Sequence, residues 1–450
     1  MSLDFTWVDE FFQNVKPYIY VRIEDNLLIK RPNQIQKLNK TGAKILKALL
    51  DGNKIKDILV NINSSEKEIQ IHHFLSAIRE SIDGQIDIFT TNPAVEKKPF
   101  EMNFSEFPVL SELAVTYRCN LKCAFCYAGC NLTQNPINSD KELTTKELKK
   151  IISKIINQAK APSISFTGGE PVLRKDLPEL ICYAKTLGMR VNLISNGTLI
   201  DKKKVDEMVS AGLDSAQISI EGTDAKTHDY LVGKQGAFEK SLEAISLLKK
   251  TGIHTHTNTT LSRINIEQAN QFPEFVRNQL DLKKFSMNMM IPSGSVSENN
   301  SLKLYYSEMG AYLESIIAKS KTHDVEFMWY SPIPICMFNT ITHGLGNKGC
   351  SACDGLISVA PNGDILPCAS YDKIVGNLFD NDFKNIWHDK PAKYFRQKEF
   401  ANSYCKTCEH FMLCNGACPL YWRNMGYNEL DVIINKQQSA IGSQQSAINK

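Results

Sequence analysis

The chain has 450 residues, an apolar fraction of 42 % and a formal net charge of +3. That length suits two or three domains with ordinary cores, and the near-neutral charge, with no basic block interleaved with aromatics, gives no case for a nucleic-acid partner. Met1 to Lys16 lacks the apolar centre of a secretory signal, and no run of eighteen apolar residues exists, so neither export nor a membrane span is expected. Thirteen cysteines are the unusual feature. They cluster at metal-ligand spacings in a chain with no export signal, which points to reduced, metal-bound thiols in a cytoplasm rather than to disulfides.

Residues 1–90 read as a small separate module. Tyr18 to Ile23 and Leu27 to Lys30 predict two strands joined by Glu24, Asp25 and Asn26, and Gln34 to Leu38 predicts a short third. A helix starting near Thr41 puts Ile45, Leu46, Leu49 and Leu50 on one face and stops at Gly52. A short helix is expected from Ile55 to Ile62. Ser65 and Glu68 form a capping box for a further helix that buries Phe74, Leu75, Ile78 and Ile82 and ends at Gly84. The segments Leu27 to Lys30, Leu38 to Gly42 and Leu49 to Gly52 resemble the peptide-recognition element found with modified-peptide maturases. That winged-helix-like fold is related to the peptide chaperone of pyrroloquinoline quinone synthesis. The resemblance implies that the leader of a precursor peptide adds a strand to the sheet edge. A winged helix used for DNA, or for packing alone, is the competing reading.

Residues 91–108 contain Pro93, Lys97, Lys98 and Pro99 without apolar periodicity and read as a linker. Beyond them strands and helices alternate through residues 109–325. Strands are expected at 113–116, up to Phe166, and at 191–194, 216–220, 255–260 and 284–291. Thr144 and Glu147 cap a helix whose Leu148, Ile151, Ile152, Ile155 and Ile156 form a buried stripe. Six such units predict an α/β fold, a partial (β/α)6 barrel of the TIM type, with its site at the carboxyl ends of the strands.

The loop after the first barrel strand carries Cys119, Cys123 and Cys126 at the spacing C-x3-C-x2-C. A four-iron cluster takes one ligand per iron, so three close thiolates hold it and leave one iron open. A zinc knuckle would need a further cysteine or histidine pair, and none lies near. Some forty residues on, Ser163 to Glu170 reads as a buried strand ending in Gly168, Gly169 and Glu170. The cysteine triad with Phe125, followed by that strand, resembles the radical S-adenosylmethionine (SAM) enzymes over about residues 108 to 325. The resemblance implies that the open iron binds the amino and carboxylate groups of SAM, and that electron transfer cleaves it to a 5'-deoxyadenosyl radical. It also implies Phe125 beside the adenine, Gly168, Gly169 and Glu170 at the amino group, and Ser195, Asn196 and Ser219 at the ribose or carboxylate. A cap or turn bond is the ordinary alternative for each polar residue. Cys130 and Cys182 read as buried or free thiols.

Eight cysteines follow: Cys336, Cys350, Cys353, Cys368, Cys405, Cys408, Cys414 and Cys418. Eight is the number that two four-iron clusters require. Pro361, Asn362, Gly363 and Asp364 form a hairpin-turn signal that returns Cys368 toward Cys353. Cys353-x9-Gly363-x4-Cys368, then Cys405-x2-Cys408-x5-Cys414-x3-Cys418, resembles the SPASM extension of radical peptide maturases, here spanning 326–432. Zinc is the alternative, since C-x2-C pairs suit it too. The resemblance assigns Cys353, Cys368 and Cys418 to a nearer cluster, with Cys350 the natural fourth ligand. It assigns Cys405, Cys408 and Cys414 to a farther one. The family pattern closes with one more cysteine, which is missing here. Cys336, a carboxylate at Glu429 or Asp431, an open iron, or loss of that cluster all remain open. Residues 433–450 repeat Gln-Gln-Ser-Ala-Ile and read as a disordered tail.

Together these features predict a cytoplasmic radical SAM enzyme with three four-iron clusters, acting on a precursor peptide and served by an electron donor such as ferredoxin or flavodoxin. Sulfatase-type formylglycine maturation, tetrapyrrole side-chain oxidation and an inactive peptide-binding scaffold are the alternatives. No catalytic base stands out.

Overall fold

The computed structural model describes residues 3–60, 62, 64–82, 104–130, 142–296 and 300–435. Three antiparallel strands, β1 (Ile19–Arg22), β2 (Leu27–Lys30) and β3 (Gln34–Lys37), lie in sequence order, with β1 and β3 as the edges. Asn26 turns the chain between β1 and β2 at φ 55°, a conformation that asparagine adopts more readily than most residues. Four helices accompany the sheet: α1 (Val8–Val15), α2 (Lys40–Leu50), α3 (Ile55–Leu59) and α4 (Ser65–Ile82). Asn39 caps α2 by accepting the Gly42 N–H at 2.7 Å. The Ser64 hydroxyl accepts the Lys67 N–H at 3.4 Å, so the cap of α4 lies one residue before the expected Ser65. Sequence pattern did not reveal α1, because eight residues are too few to show a period. Its Val8 and Phe12 are nevertheless fully buried, in one cluster with Phe74, Leu75 and Ile78. Gly84 and most of the expected linker fall outside the described residues.

The larger body is a ten-stranded sheet. Its parallel barrel strands are β4 (Leu110–Thr116), β5 (Ser163–Gly168), β6 (Arg190–Ser195), β7 (Ser215–Ser219), β8 (His254–Leu261), β9 (Lys284–Met289) and β10 (Glu326–Trp329). Each pairs with the next in chain order. The helices between them are α5 (Thr145–Asn157), α6 (Leu177–Thr186), α7 (Lys202–Ser210), α8 (Ala225–Val232), α9 (Ala237–Lys249), α10 (Phe272–Asn278) and α11 (Tyr306–Thr322). Thr144 and Glu147 cap α5 reciprocally, and its Leu148, Ile151, Ile152 and Ile155 are buried. Helices on the outside of a parallel sheet and side chains inside it bury both faces of its strands: Ser163–Gly168 is buried at five of its six positions, with Ile164 and Phe166 in the main apolar cluster. One parallel strand, β10, exceeds the six expected; four residues are too short to signal a strand by alternation.

On the other side of β4 the sheet continues through β11 (Leu356–Val359), parallel to β4, and then β12 (Asp364–Leu366) and β13 (Gly376–Asn377), both antiparallel. The extension is therefore built into the barrel. Ile357, Trp387, Tyr421 and Trp422 share one apolar cluster with Leu113 and Phe166. No helix among the described residues is long and apolar enough to cross a membrane.

One buried arginine ties the small sheet to the barrel. Arg22 is fully buried and makes a two-pronged pair with Asp25 at 2.8 and 2.9 Å. It also donates to the Pro108 carbonyl at 2.8 Å, the Ser105 hydroxyl at 2.6 Å and the Lys160 carbonyl at 3.3 Å. A buried guanidinium must spend its donors on acceptors, and these belong to the entry of β4 and the exit of α5. Arg22→Met leaves Asp25 buried without its cation. We expect a loss of about 3 to 5 kcal/mol in the stability of the small module, read as an earlier first transition in urea unfolding followed by tryptophan fluorescence.

Candidate active site and iron–sulfur centres

The loop from Arg118 to Cys130 leaves the carboxyl end of β4 and is held from three sides. The Gly169 and Glu170 N–H groups, just past β5, donate to the Thr116 and Arg118 carbonyls at 2.8 and 2.9 Å. The Lys122 and Ala124 N–H groups donate to Val232 and Leu231 at the end of α8, at 3.0 and 2.9 Å, and the Ser295 N–H donates to the Cys126 carbonyl at 3.0 Å. These approaches are close. A Cβ at Gly168, whose φ is 145°, would sit 2.0 Å from the Thr116 oxygen, and one at Gly294 would sit 2.4 Å from the Cys126 oxygen. Glycine at 168 thus has a reason inside the fold: the neighbouring chain occupies the place of a side chain.

Glu170 extends the brace to β6. Its carboxylate is fully buried and accepts the Ser195 hydroxyl at 2.8 Å, the Asn196 N–H at 2.9 Å and the Val172 N–H at 3.1 Å. Burial still raises its pKa, against the lowering by those three donors. Asn196 in turn donates through Nδ2 to Asn120 Oδ1 at 3.1 Å, inside the cysteine loop. The glutamate, serine and asparagine therefore set the spacing between the cysteine loop, β5 and β6.

A cavity of about 470 Å³ opens at these strand ends, a size suited to a ligand such as a nucleoside. Cys119, Cys123, Cys126, Phe125, Gly168, Gly169, Ser195, Asn196 and Ser219 all line it, whereas the Glu170 carboxylate is engaged behind the wall. Phe125 packs with Leu231, Met290 and Val296. Burial pushes the Cys119 thiol up to about 11 and raises Cys123 well above the usual thiol range, with the neighbouring thiols adding to both. Cys126 is lowered because the Cys130 thiol donates to it, and Cys130 is raised as the donor. Three partly buried sulfurs beside one another, with no cation among them, are electrostatically unfavourable as thiolates until something positive joins them. Among the described residues no three such side chains converge on one point as the ligands of a single ion do. Their spread around a cavity fits a cluster of several irons, one thiolate to each. Cys182 is exposed on α6 and takes no part.

The remaining cysteines form two groups. Cys350, Cys368 and Cys418 line the same cavity, and the Cys353 thiol is close enough to Cys350 to be raised by its charge. Burial pushes Cys353 and Cys418 up to about 12. Sequence reasoning missed Lys398, which is fully buried, donates to the Cys350 carbonyl at 2.7 Å and pairs with Asp354 at 2.9 Å; burial raises the Cys350 thiol, and the charge of Lys398 offsets part of that rise. The second group, Cys336, Cys405, Cys408 and Cys414, lines a separate cavity of about 770 Å³.

Comparison with known proteins decides the family. The model for the radical SAM superfamily matches residues 113–276, and that for the SPASM iron–sulfur cluster-binding domain matches 350–409. An AdoMet-dependent heme synthase of Oleidesulfovibrio alaskensis is 30 % identical over 320 residues, covering 67 % of this chain and 80 % of that protein. The chain belongs to the radical SAM superfamily. A PqqA peptide cyclase of Bradyrhizobium diazoefficiens is 26 % identical over 325 residues, covering 69 % of this chain and 81 % of that one. Streptococcus suis SuiB bound to its precursor peptide SuiA shares the fold with a TM-score of 0.66 at 17 % identity, over 90 % of this chain and 94 % of SuiB.

A radical SAM enzyme binds SAM and a four-iron cluster, and the SPASM domain adds auxiliary clusters. The thiols and braces described above fit these groups. Two carboxylates that sequence reasoning missed complete the cavity wall. Glu112, on β4, is raised by burial and accepts the Ser358 hydroxyl at 3.2 Å. Glu221, just past β7, is pushed up to about 8 by burial and accepts the Thr260 N–H at 2.8 Å. Neither stands in a motif; only the strand geometry turns them inward. Because its folded pKa lies above its unfolded one, Glu221 contributes stability that is complete below pH 4.5 and lost as pH rises through about 8. In the protein without its cofactors, Glu221→Gln should flatten the fall in stability between pH 5 and 8.5. The difference should be on the order of 4 kcal/mol at the upper pH, measured by urea unfolding at each pH.

Proposed function

We propose that this radical SAM enzyme modifies a ribosomally made precursor peptide whose leader docks on residues 1–90. The observation that carries the reading is β3, an edge strand with one strand neighbour among the described residues, in a module fixed to the barrel through Arg22. An edge presents a row of backbone donors and acceptors that an extended peptide can complete. SuiB, bound to a precursor peptide, and a cyclase of the peptide PqqA lend support. A second reading, tetrapyrrole side-chain oxidation, draws on the higher identity to the heme synthase, but leaves the edge strand without a use.

Cys119, Cys123 and Cys126 would hold the SAM-binding cluster, with Phe125, Gly168, Gly169, Ser195, Asn196 and Ser219 around the cofactor and Glu170 positioning two of them from behind. When bound there, SAM with its cluster would supply hydrogen-atom abstraction from a substrate carbon. The chain's own part is to hold the substrate between the two cysteine-lined walls and keep water out. Glu112, which lines that cavity, is suited to take the proton released as a carbon–carbon, ether or thioether crosslink forms, and the electron released with it would pass to the nearer auxiliary cluster. Cys350, Cys353, Cys368 and Cys418 would hold the nearer auxiliary cluster beside the substrate. The electron donor is proposed to be a ferredoxin or flavodoxin in a reduced cytoplasm.

Reduced, reconstituted protein should cleave SAM to 5'-deoxyadenosine. Replacing Cys119, Cys123 and Cys126 together by alanine should abolish this and remove about four irons per chain; continued cleavage would show the site to be elsewhere. Titration with the leader encoded beside this gene should give roughly micromolar affinity and protect Gln34–Lys37 from hydrogen exchange. Absence of binding to any such leader would favour the tetrapyrrole reading.

A further inference from the structure

The second cysteine cavity contains more than the family pattern supplies. Cys405, Cys408 and Cys414 come from and around two short helical turns, Ser403–Lys406 and Phe411–Cys414. The pattern then calls for one more cysteine toward the carboxyl terminus, and none follows Cys418. The wall that these three share includes Cys336, from the chain that leaves β10. We infer that Cys336 is the fourth ligand of the second auxiliary cluster, supplied from the amino-terminal side of the extension. The inference rests on the iron–sulfur reading of the extension.

The geometry holds Cys336 in place. The Ser331 hydroxyl accepts the Met289 N–H at 2.8 Å, which fixes the chain to the barrel just past β10. The Met337 and Phe338 N–H groups both close on the Pro334 carbonyl, at 2.9 and 3.0 Å, so that Cys336 lies within a tight turn. The preceding Pro334 and Ile335 line the same cavity as Cys414, which brings the two segments together there.

The rival ligands are otherwise engaged. Both carboxylate oxygens of Glu429 are taken, one by the Ser307 N–H at 2.8 Å and the other by the Tyr421 hydroxyl. Asp431 is exposed, and its helical segment presents Leu430 and Ile433 to the cavity instead. Glu409 and His410 reach the wall but pair with each other at 3.5 Å. Four thiols on one wall match the four irons of a cluster, one ligand to each.

The test uses the full chain, reconstituted anaerobically with iron and sulfide in the background lacking Cys119, Cys123 and Cys126, so that all remaining iron is auxiliary. Cys336→Ala should lose as much iron as Cys414→Ala, falling from about eight to about four per chain, while Cys182→Ala loses none. Cys336→Ser, which keeps an oxygen donor, should retain the cluster with an altered paramagnetic resonance spectrum. A second measurement needs no variant. Cys182 and Cys336 are both exposed thiols, so in loaded wild-type protein alkylation should mark Cys182 and spare Cys336 until a chelator removes the iron. Alkylation of Cys336 in fully loaded protein overturns the assignment, as does His410→Ala losing the iron that Cys336→Ala keeps. If Cys414→Ala also keeps all its iron, or the metal found is zinc, the second centre fails as a whole, and the reading beneath this inference fails with it.

Discussion

The structure depends on how closely two strand-end loops approach each other. The chain after β5 runs so near the cysteine loop that backbone meets backbone, with the Gly169 and Glu170 N–H groups on the Thr116 and Arg118 carbonyls. Nothing larger than hydrogen fits at residue 168. Each short main-chain bond contributes about 1 kcal/mol; their value lies in fixing three thiols relative to Ser195 and Asn196 before any ligand arrives. Glu170 makes the arrangement cooperative, because one carboxylate satisfies Ser195 and Asn196 at the end of β6 and Val172 beyond β5.

The same economy governs the thiols. Burial raises nearly all of them, and neighbouring sulfurs raise them further. A buried set of this kind favours protonated, neutral thiols when empty and gains most from a group that brings positive iron among them. Lys398 modifies this balance on one side only: its charge reaches Cys350 and Cys353. The two groups of thiols therefore have different electrostatic surroundings, although they are chemically alike.

Much of the fold was legible in the sequence because its strands are buried runs punctuated by turns. The expected strand at 191–194 appears as Arg190–Ser195, and that at 255–260 as His254–Leu261. Both auxiliary groups were visible as spacing, and Gly363 stands at φ 90° where the turn signal placed it. What was hidden was short or non-local. Helix α1 and strand β10 are too brief to show a period, and the pairing of β11 with β4 leaves no mark in either segment. Glu112, Glu221 and Lys398 belong to no motif, and only the packing of distant elements buries them. Two similar glycines illustrate the limit. Gly168, expected at the cofactor, lines the cavity and is also demanded by the approach of Thr116, while Gly294 carried no signal and allows the close approach of Cys126.

The parallel pairing of β11 with β4 also bears on how the chain folds. Ser358 bonds to Glu112 across 246 positions of sequence, so β4 gains its second neighbour only after most of the protein has been made. During synthesis, the strand that leads into the first cysteine loop is an edge strand, open to pairing with another chain. Contacts of such long range close slowly, because the entropy of the intervening loop is lost before they form. Completion of the sheet is thus the late event that buries Glu112 and encloses the cavity between its two cysteine-bearing walls, and the kinetics of that closure set when the site first becomes whole.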